Sequence, residues 1–156
     1  MEAQLNRVHP MNYSLRHVQS HEIEWLYDLN KASFHESVVL QFGKWDDNFQ
    51  RGMFFSKWEQ PRPAFIIEVG VERVGVVIIE QRQDCDWLHE IQLCPSSQGR
   101  GLGTILLRKL MAEARSRNVP LRLQVLHANQ DAKRLYDRLG FLKIQTLENH
   151  HVMEVC

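Results

Sequence analysis

Apolar residues recur along this chain with two periods, one of a strand and one of a helix, and the switches between them outline its elements. Tyr13 to Val18 reads as a first strand. Ser20 then offers an N-cap for a helix that carries Ile23, Leu26 and Leu29 at helical spacing. From Phe34 to Trp58 the chain is rich in aromatic residues. Trp45 and Phe49 within it suggest a second helix with one apolar face, ended by Pro61 and Pro63. Ala64 to Val69 and Arg73 to Glu80 are rich in Ile and Val, and the break at Gly70-Val71-Glu72 predicts an antiparallel hairpin. Gln83 to Asp86 turns the chain into a further strand, Trp87 to Cys94, stopped by Pro95.

The clearest helix follows. Gly103, Leu106, Leu107, Leu110, Met111 and Ala114 share one face, while Arg108, Lys109, Glu113 and Arg115 share the other, and Asn118 and Pro120 end it. Leu121, Leu123 and Val125 alternate with Arg122 and Gln124, a strand pattern. Asn129 can cap a last helix with Ala132, Leu135, Tyr136 and Leu139 on its face, and Gly140 closes it. Phe141 to Gln145 and His151 to Val155 read as two closing strands. The order β-α-α-β-β-β-α-β-α-β-β predicts an α/β protein with a mixed α+β sheet, about seven strands flanked by four helices on both faces. No repeat, linker or low-complexity tract divides residues 1–156, so a single domain is expected.

Between the strand ending at Cys94 and the amphipathic helix stands Gln98-Gly99-Arg100-Gly101-Leu102-Gly103-Thr104. Glycines there let a backbone approach a ligand, and a helix start presents unpaired N–H groups and partial positive charge, which suits phosphate. Two familiar phosphate motifs fail on spacing. A dinucleotide fingerprint needs Gly-x-Gly-x-x-Gly, but Thr104 or Leu106 stands where the third glycine belongs, and the stretch Pro120 to Leu123 holds no ribose-binding acid. A nucleoside-triphosphate loop needs Gly-Lys-Ser/Thr, and Gly103-Thr104-Ile105 is not that.

What remains is Gln-x-x-Gly-x-Gly opening a helix after a strand, which resembles the acyl-CoA pyrophosphate loop of the GNAT superfamily of N-acetyltransferases. Asn129-Gln130-Asp131-Ala132 through Leu135-Tyr136 to Leu139-Gly140-Phe141 is similar to a second segment of that family, and the element order agrees with its fold across nearly the full chain. The resemblance implies transfer of an acetyl group from the cosubstrate acetyl-CoA to an amine by direct attack. It places the pyrophosphate on the backbone of Gln98, Gly99, Arg100, Gly101, Leu102, Gly103 and Thr104, with the Arg100 side chain either adding charge or simply solvated. It places the thioester carbonyl at backbone donors of Leu93 and Cys94, where two strands splay.

A protonated amine cannot attack, so a base or a water chain must take its proton near neutral pH. His89 and Glu90 are the candidates; strand alternation directs them to opposite faces unless a bulge intervenes, so one of the two is expected in the cleft. Tyr136 matches the tyrosine that the family uses to protonate the departing sulfur. It also lies on an apolar stripe, where a core tyrosine with one satisfied hydroxyl is the plainer reading. Asn129 is a helix cap, a hydrogen-bond partner of the pantetheine arm, or both. Trp45, Phe49, Phe54 and Phe55 are candidates to line the acceptor site, with Glu22, Glu24, Asp28 and Glu36 to attract a cationic amine. His89, His150, His151 and Cys94 show no zinc-ligand spacing, so no metal is expected.

Composition narrows the partners. Lys plus Arg and Asp plus Glu are both 19, giving zero formal net charge, which argues against a nucleic-acid binder despite local basic residues such as Arg100, Arg108 and Lys109. No apolar run is long enough to span a bilayer, and Met1 to Asn6 lacks a basic start followed by an apolar segment, so neither a membrane nor a secretory signal is expected. Cys85, Cys94 and Cys156 form no disulfide pattern, which fits a reducing cytoplasm. The acceptor, a small-molecule or a protein amine, is not legible. Many members of the family form homodimers, but no heptad or obvious apolar edge marks an interface. A catalytically silent acyl-CoA-binding module on the same fold is the alternative.

Overall fold

A computed structural model describes residues 12–156; the reading of Met1 to Asn6 lies outside them. The elements are β1 (Tyr13–His17), α1 (Ile23–Phe42), α2 (Asp47–Lys57), β2 (Ala64–Val69), β3 (Glu72–Gln81), β4 (Asp86–Leu93), α3 (Leu102–Ser116), β5 (Leu121–Leu126), α4 (Gln130–Arg138), β6 (Leu142–Thr146) and β7 (His150–Val155). The seven strands form one sheet in the order β1-β2-β3-β4-β5-β7-β6. All neighbours are antiparallel except β4 and β5, which α3 joins by a crossover.

The apolar run Val74 to Ile79 is continuous because β3 is buried on both faces. Ile66, Val76 and Ile78 pack with Leu26 and Leu29 of α1 on one side. Ile67, Val77, Leu88, Leu121 and Leu123 pack with Leu102, Leu106, Leu107, Leu110 and Ala114 of α3 on the other. Each fully buried side chain of this size contributes about 1.5–3 kcal/mol. Gly75 lies where β3 and β4 press together: a Cβ there would sit 2.2 Å from the Gln92 carbonyl oxygen.

Two expectations for the N-terminal half are corrected. Ser20 does not cap an α-helix; it opens a 3-10 turn, Ser20–Glu22, in which the Glu22 carboxylate accepts from the Gln19 N–H at 3.0 Å. Trp45 lies before α2 rather than on it, because Asp46 is the N-cap and accepts from the Phe49 N–H at 3.1 Å. The helical spacing of Trp45 and Phe49 was therefore coincidental. α1 instead continues for 20 residues to Phe42, where Gly43 takes a left-handed φ of 90°. The edge strand β6 also exposes Leu142 and Ile144, so an apolar edge does exist.

Candidate active site

β4 and β5 pair only from Asp86↔Leu121 to Leu88↔Leu123 and then part. Beyond that point both strands line a cleft of about 960 Å³, which α1, α2 and α4 complete. The backbone of β4 is free on the side facing the gap. Cys94 donates its N–H to the Val74 carbonyl at 2.7 Å, so antiparallel alternation turns the N–H and carbonyl of Leu93 away from β3. Cys94 therefore does not offer its N–H to the cleft, and of the two expected donors Leu93 is the one so placed. The Leu93 carbonyl accepts from the Gln98 side-chain amide at 3.0 Å, which ties the glycine loop to the end of β4.

The loop passes through a 3-10 turn, Pro95–Ser97, before α3 begins. Gly99 and Gly101 have φ of 75° and 84°, a region that disfavours any side chain, and a Cβ at either would meet nothing within 4 Å. Gly103 differs: its φ is ordinary and a Cβ would make plain contact with Leu93 at 3.7 Å. No side chain caps α3, its first turn holds no acid, and its first backbone bond runs from Ile105 N–H to the Gly101 carbonyl at 3.0 Å. The N–H groups of the opening turn thus have no side-chain partner, and the helix dipole adds partial positive charge there. Arg100 is exposed beside them.

Strand alternation alone sends His89 and Glu90 to opposite faces, but the chain does otherwise. β4 is bulged against β3: Glu90 pairs with Ile78 and Leu88 with Ile79, which leaves His89 as the extra residue. Both side chains consequently border the cleft. The His89 ring lies 3.2 Å from the Glu80 carboxylate, and burial pushes its pKa down despite that partner. Glu90 accepts from the Gln92 side-chain amide at 3.1 Å, and the same amide reaches Asn30 of α1 at 3.1 Å. Burial pushes the Glu90 carboxyl above its ordinary value, against the pull of Lys57, Gln92 and Arg62. Gln92 and Asn30 carry no motif; for Gln92 the only signal is a polar residue between apolar neighbours on a strand, and Asn30 of α1 has none.

Tyr136 borders the cleft from α4 while its ring packs against Phe141. Burial, followed by the Glu90 charge, pushes its hydroxyl up to about 12, so the phenol keeps its proton at neutral pH. Asn129 caps α4 by accepting from the Ala132 N–H at 3.3 Å and also borders the cleft. Gln41 ties α1 to the loops after β5 and before β7: its amide donates to the Asn149 carbonyl and accepts from the Ala128 N–H, both at 2.9 Å.

One cleft thus collects His89, Glu90, Leu93, Gln98, Asn129 and Tyr136, with Trp45 and Phe49 on its wall. Gly99, Arg100, Gly101, Leu102, Gly103 and Thr104 follow Gln98 outside it, and Phe54 borders only a smaller side cavity. The expected acids do not reach the cleft. Glu22 is 1% exposed and bonded to Arg16 and Arg73, Glu24 pairs with Arg51, and Asp28 and Glu36 are exposed elsewhere on α1. Among the described residues, no group of three or more His, Cys, Asp or Glu is placed to hold a metal ion, and no helix is long and apolar enough to cross a membrane.

Residues 21–141 match a model of the acetyltransferase (GNAT) family. A curated relative, an uncharacterised N-acetyltransferase of Methanocaldococcus jannaschii, is 27% identical over 146 residues; the match covers 83% of this chain and 60% of the relative. The chain thus spans about 60% of that relative's length. Two solved structures share the fold. The PaiA N-acetyltransferase of Thermoplasma acidophilum in complex with coenzyme A has a TM-score of 0.70 at 15% identity, over 91% of this chain and 97% of that one. The ribosomal-protein-S18-alanine N-acetyltransferase of Escherichia coli has a TM-score of 0.64 at 20% identity, over 92% of each chain.

Proposed function

Because the chain belongs to the acetyltransferase (GNAT) family, we propose that it transfers the acetyl group of acetyl-CoA to an amine by direct attack. The observation that carries this reading is the cleft where β4 and β5 part, with the uncapped start of α3 beside it and Glu90 and Tyr136 both facing in. A long substrate with a phosphate end and an amide-bearing arm suits that layout. The pyrophosphate lies on the N–H groups from Gly99 to Thr104. The pantetheine arm runs along the free edge of β4, and the Asn129 side-chain NH₂, left over from capping, reaches the same space.

The reaction then needs few groups. The Leu93 N–H faces the gap and stabilises the oxyanion that develops on the thioester carbonyl. Glu90, held by Gln92, takes the proton from the incoming ammonium directly or through a water, and His89 stands next to it. The amine nitrogen bonds to the carbonyl carbon, and the carbon–sulfur bond breaks. Tyr136 gives its phenolic proton to the departing thiolate. The phenol carries its proton at neutral pH, and burial makes the carboxylate a better base than an exposed one.

Titration calorimetry with acetyl-CoA, and with NAD and ATP as controls, tests the reading. Acetyl-CoA is expected to bind alone. Heat from ATP or NAD but none from acetyl-CoA would reduce the glycines to a turn and remove the transferase reading.

A further inference from the structure

A side cavity of about 60 Å³ lies between α1, α2, β3 and β4, next to the main cleft. Glu90, Gln92, Asn30, Lys57 and Arg62 line both spaces, so the cavity is the inner end of the acceptor side. None of its lining comes from the glycine loop. A volume of this size has room for a small polar group, since one water needs about 10–15 Å³ on this measure.

Two cations line it. Elsewhere Arg51 pairs with Glu24, Lys31 with Asp47, Arg82 with Glu80, and Arg16 and Arg73 with Glu22. Lys57 and Arg62 take part in no ion pair among the described residues. Arg62 is half-buried, with its guanidinium 5.1 Å from the Trp58 ring centroid. The acid of the cavity, Glu90, is bonded to Gln92 instead. Arg62 attracts Glu90 without bonding to it, so its planar fork is left to match a second carboxylate with two hydrogen bonds. Of the acids, Glu22 is buried and Glu24 pairs with Arg51, Asp28 and Glu36 lie outside the cleft, and Asp46 and Glu90 line it.

We propose that the acceptor amine carries a carboxylate a few atoms from its nitrogen, and that Lys57 and Arg62 hold this carboxylate in the side cavity while the amine faces Glu90. The inference rests on the acetyl-transfer reading, and it names the substrate class: free amino acids, or peptides with an acidic residue at the N-terminus. A polyamine would instead bring its further positive charges to a lining where Lys44, Lys57 and Arg62 outnumber Asp46 and Glu90.

The test is release of CoA thiol from acetyl-CoA across matched pairs: an amino acid and its carboxamide, a peptide beginning with Asp and one beginning with Asn, and spermidine. The carboxylate member of at least one pair is expected to exceed its amide partner at least tenfold in kcat/KM, and which pair does so tells free amino acids from peptides. Arg62→Met and Lys57→Met should each shrink that preference to twofold or less, chiefly by raising KM for the acid. Equal use of acid and amide, or spermidine as the best acceptor, overturns the proposal while leaving acetyl transfer intact. Binding of the same pairs, followed by NMR of the protein, reads the cavity separately. If acetyl-CoA does not bind but the acid still outcompetes the amide at Arg62, the transfer reading fails and the anion site stands.

Discussion

Tyr136 is placed by two kinds of interaction with different ranges. Its position on α4 follows from the local pattern of Ala132, Leu135 and Leu139, all packed on the core with it. Its chemistry follows first from burial and then from Glu90, which lies on a strand 46 positions earlier in the chain; both raise the phenol's affinity for its proton. A phenol held near 12 keeps its proton at neutral pH, so it can donate there and cannot act as a base. Tyr136→Phe removes that proton and little else, because the ring still packs on Phe141. The expected outcome is a fall in kcat of about 10²–10⁴ with acetyl-CoA affinity within twofold of the parent. Stopped-flow turnover beside calorimetry reads both, and an undiminished kcat would return Tyr136 to the role of a core residue.

Among the elements, the loop and α3 were legible in the sequence because their signals are local: three glycines, a helix with one apolar face, and a strand before it. The structure separates those glycines. Gly99 and Gly101 are fixed by positive φ, whereas Gly103 sits in ordinary helix against Leu93. Gly101→Ala should cost about 1–2 kcal/mol in urea denaturation and weaken acetyl-CoA binding at least tenfold, since the first turn must rotate. Gly103→Ala should instead stabilise α3 by up to about 1 kcal/mol. Equal losses in the two variants would mean that close approach to the ligand, and not backbone angle, selects these glycines. What was not legible depends on partners distant in sequence. The bulge that brings His89 and Glu90 to one side is set by the pairing of β4 with β3. The demand for glycine at position 75 comes from the Gln92 carbonyl, and the role of Gln41 comes from two loops it bridges. Trp45 shows the converse failure, a correct helical spacing spent on a residue outside the helix because Asp46 caps first.

At the scale of the whole molecule, Glu22 links elements that no local pattern connects. It accepts from Arg16 of β1 at 2.7 and 2.8 Å and from Arg73 of β3 at 3.3 Å, while Arg16 also pairs with Glu68 of β2. One carboxylate at the entry to α1 thereby fastens the three-stranded edge of the sheet to the helix layer that walls the cleft. The Arg16 guanidinium and the Gln19 N–H outweigh burial and hold its pKa at about 2, against an ordinary 4.5. The folded protein therefore binds this proton more weakly than the unfolded chain does. The stabilisation is full above about 4.5 and is lost as pH falls toward 2. Glu22→Gln should cost about 2 kcal/mol at pH 7, the worth of a charge-assisted hydrogen bond removed from a buried position. Urea denaturation at pH 7 and again at pH 3 reads the linkage. The gap between parent and variant is expected to narrow at pH 3, because the parent has then given up part of what the variant never had. A gap of the same size at both pH values would mean that Glu22 holds the edge by shape and hydrogen bonding alone, with no contribution from its charge.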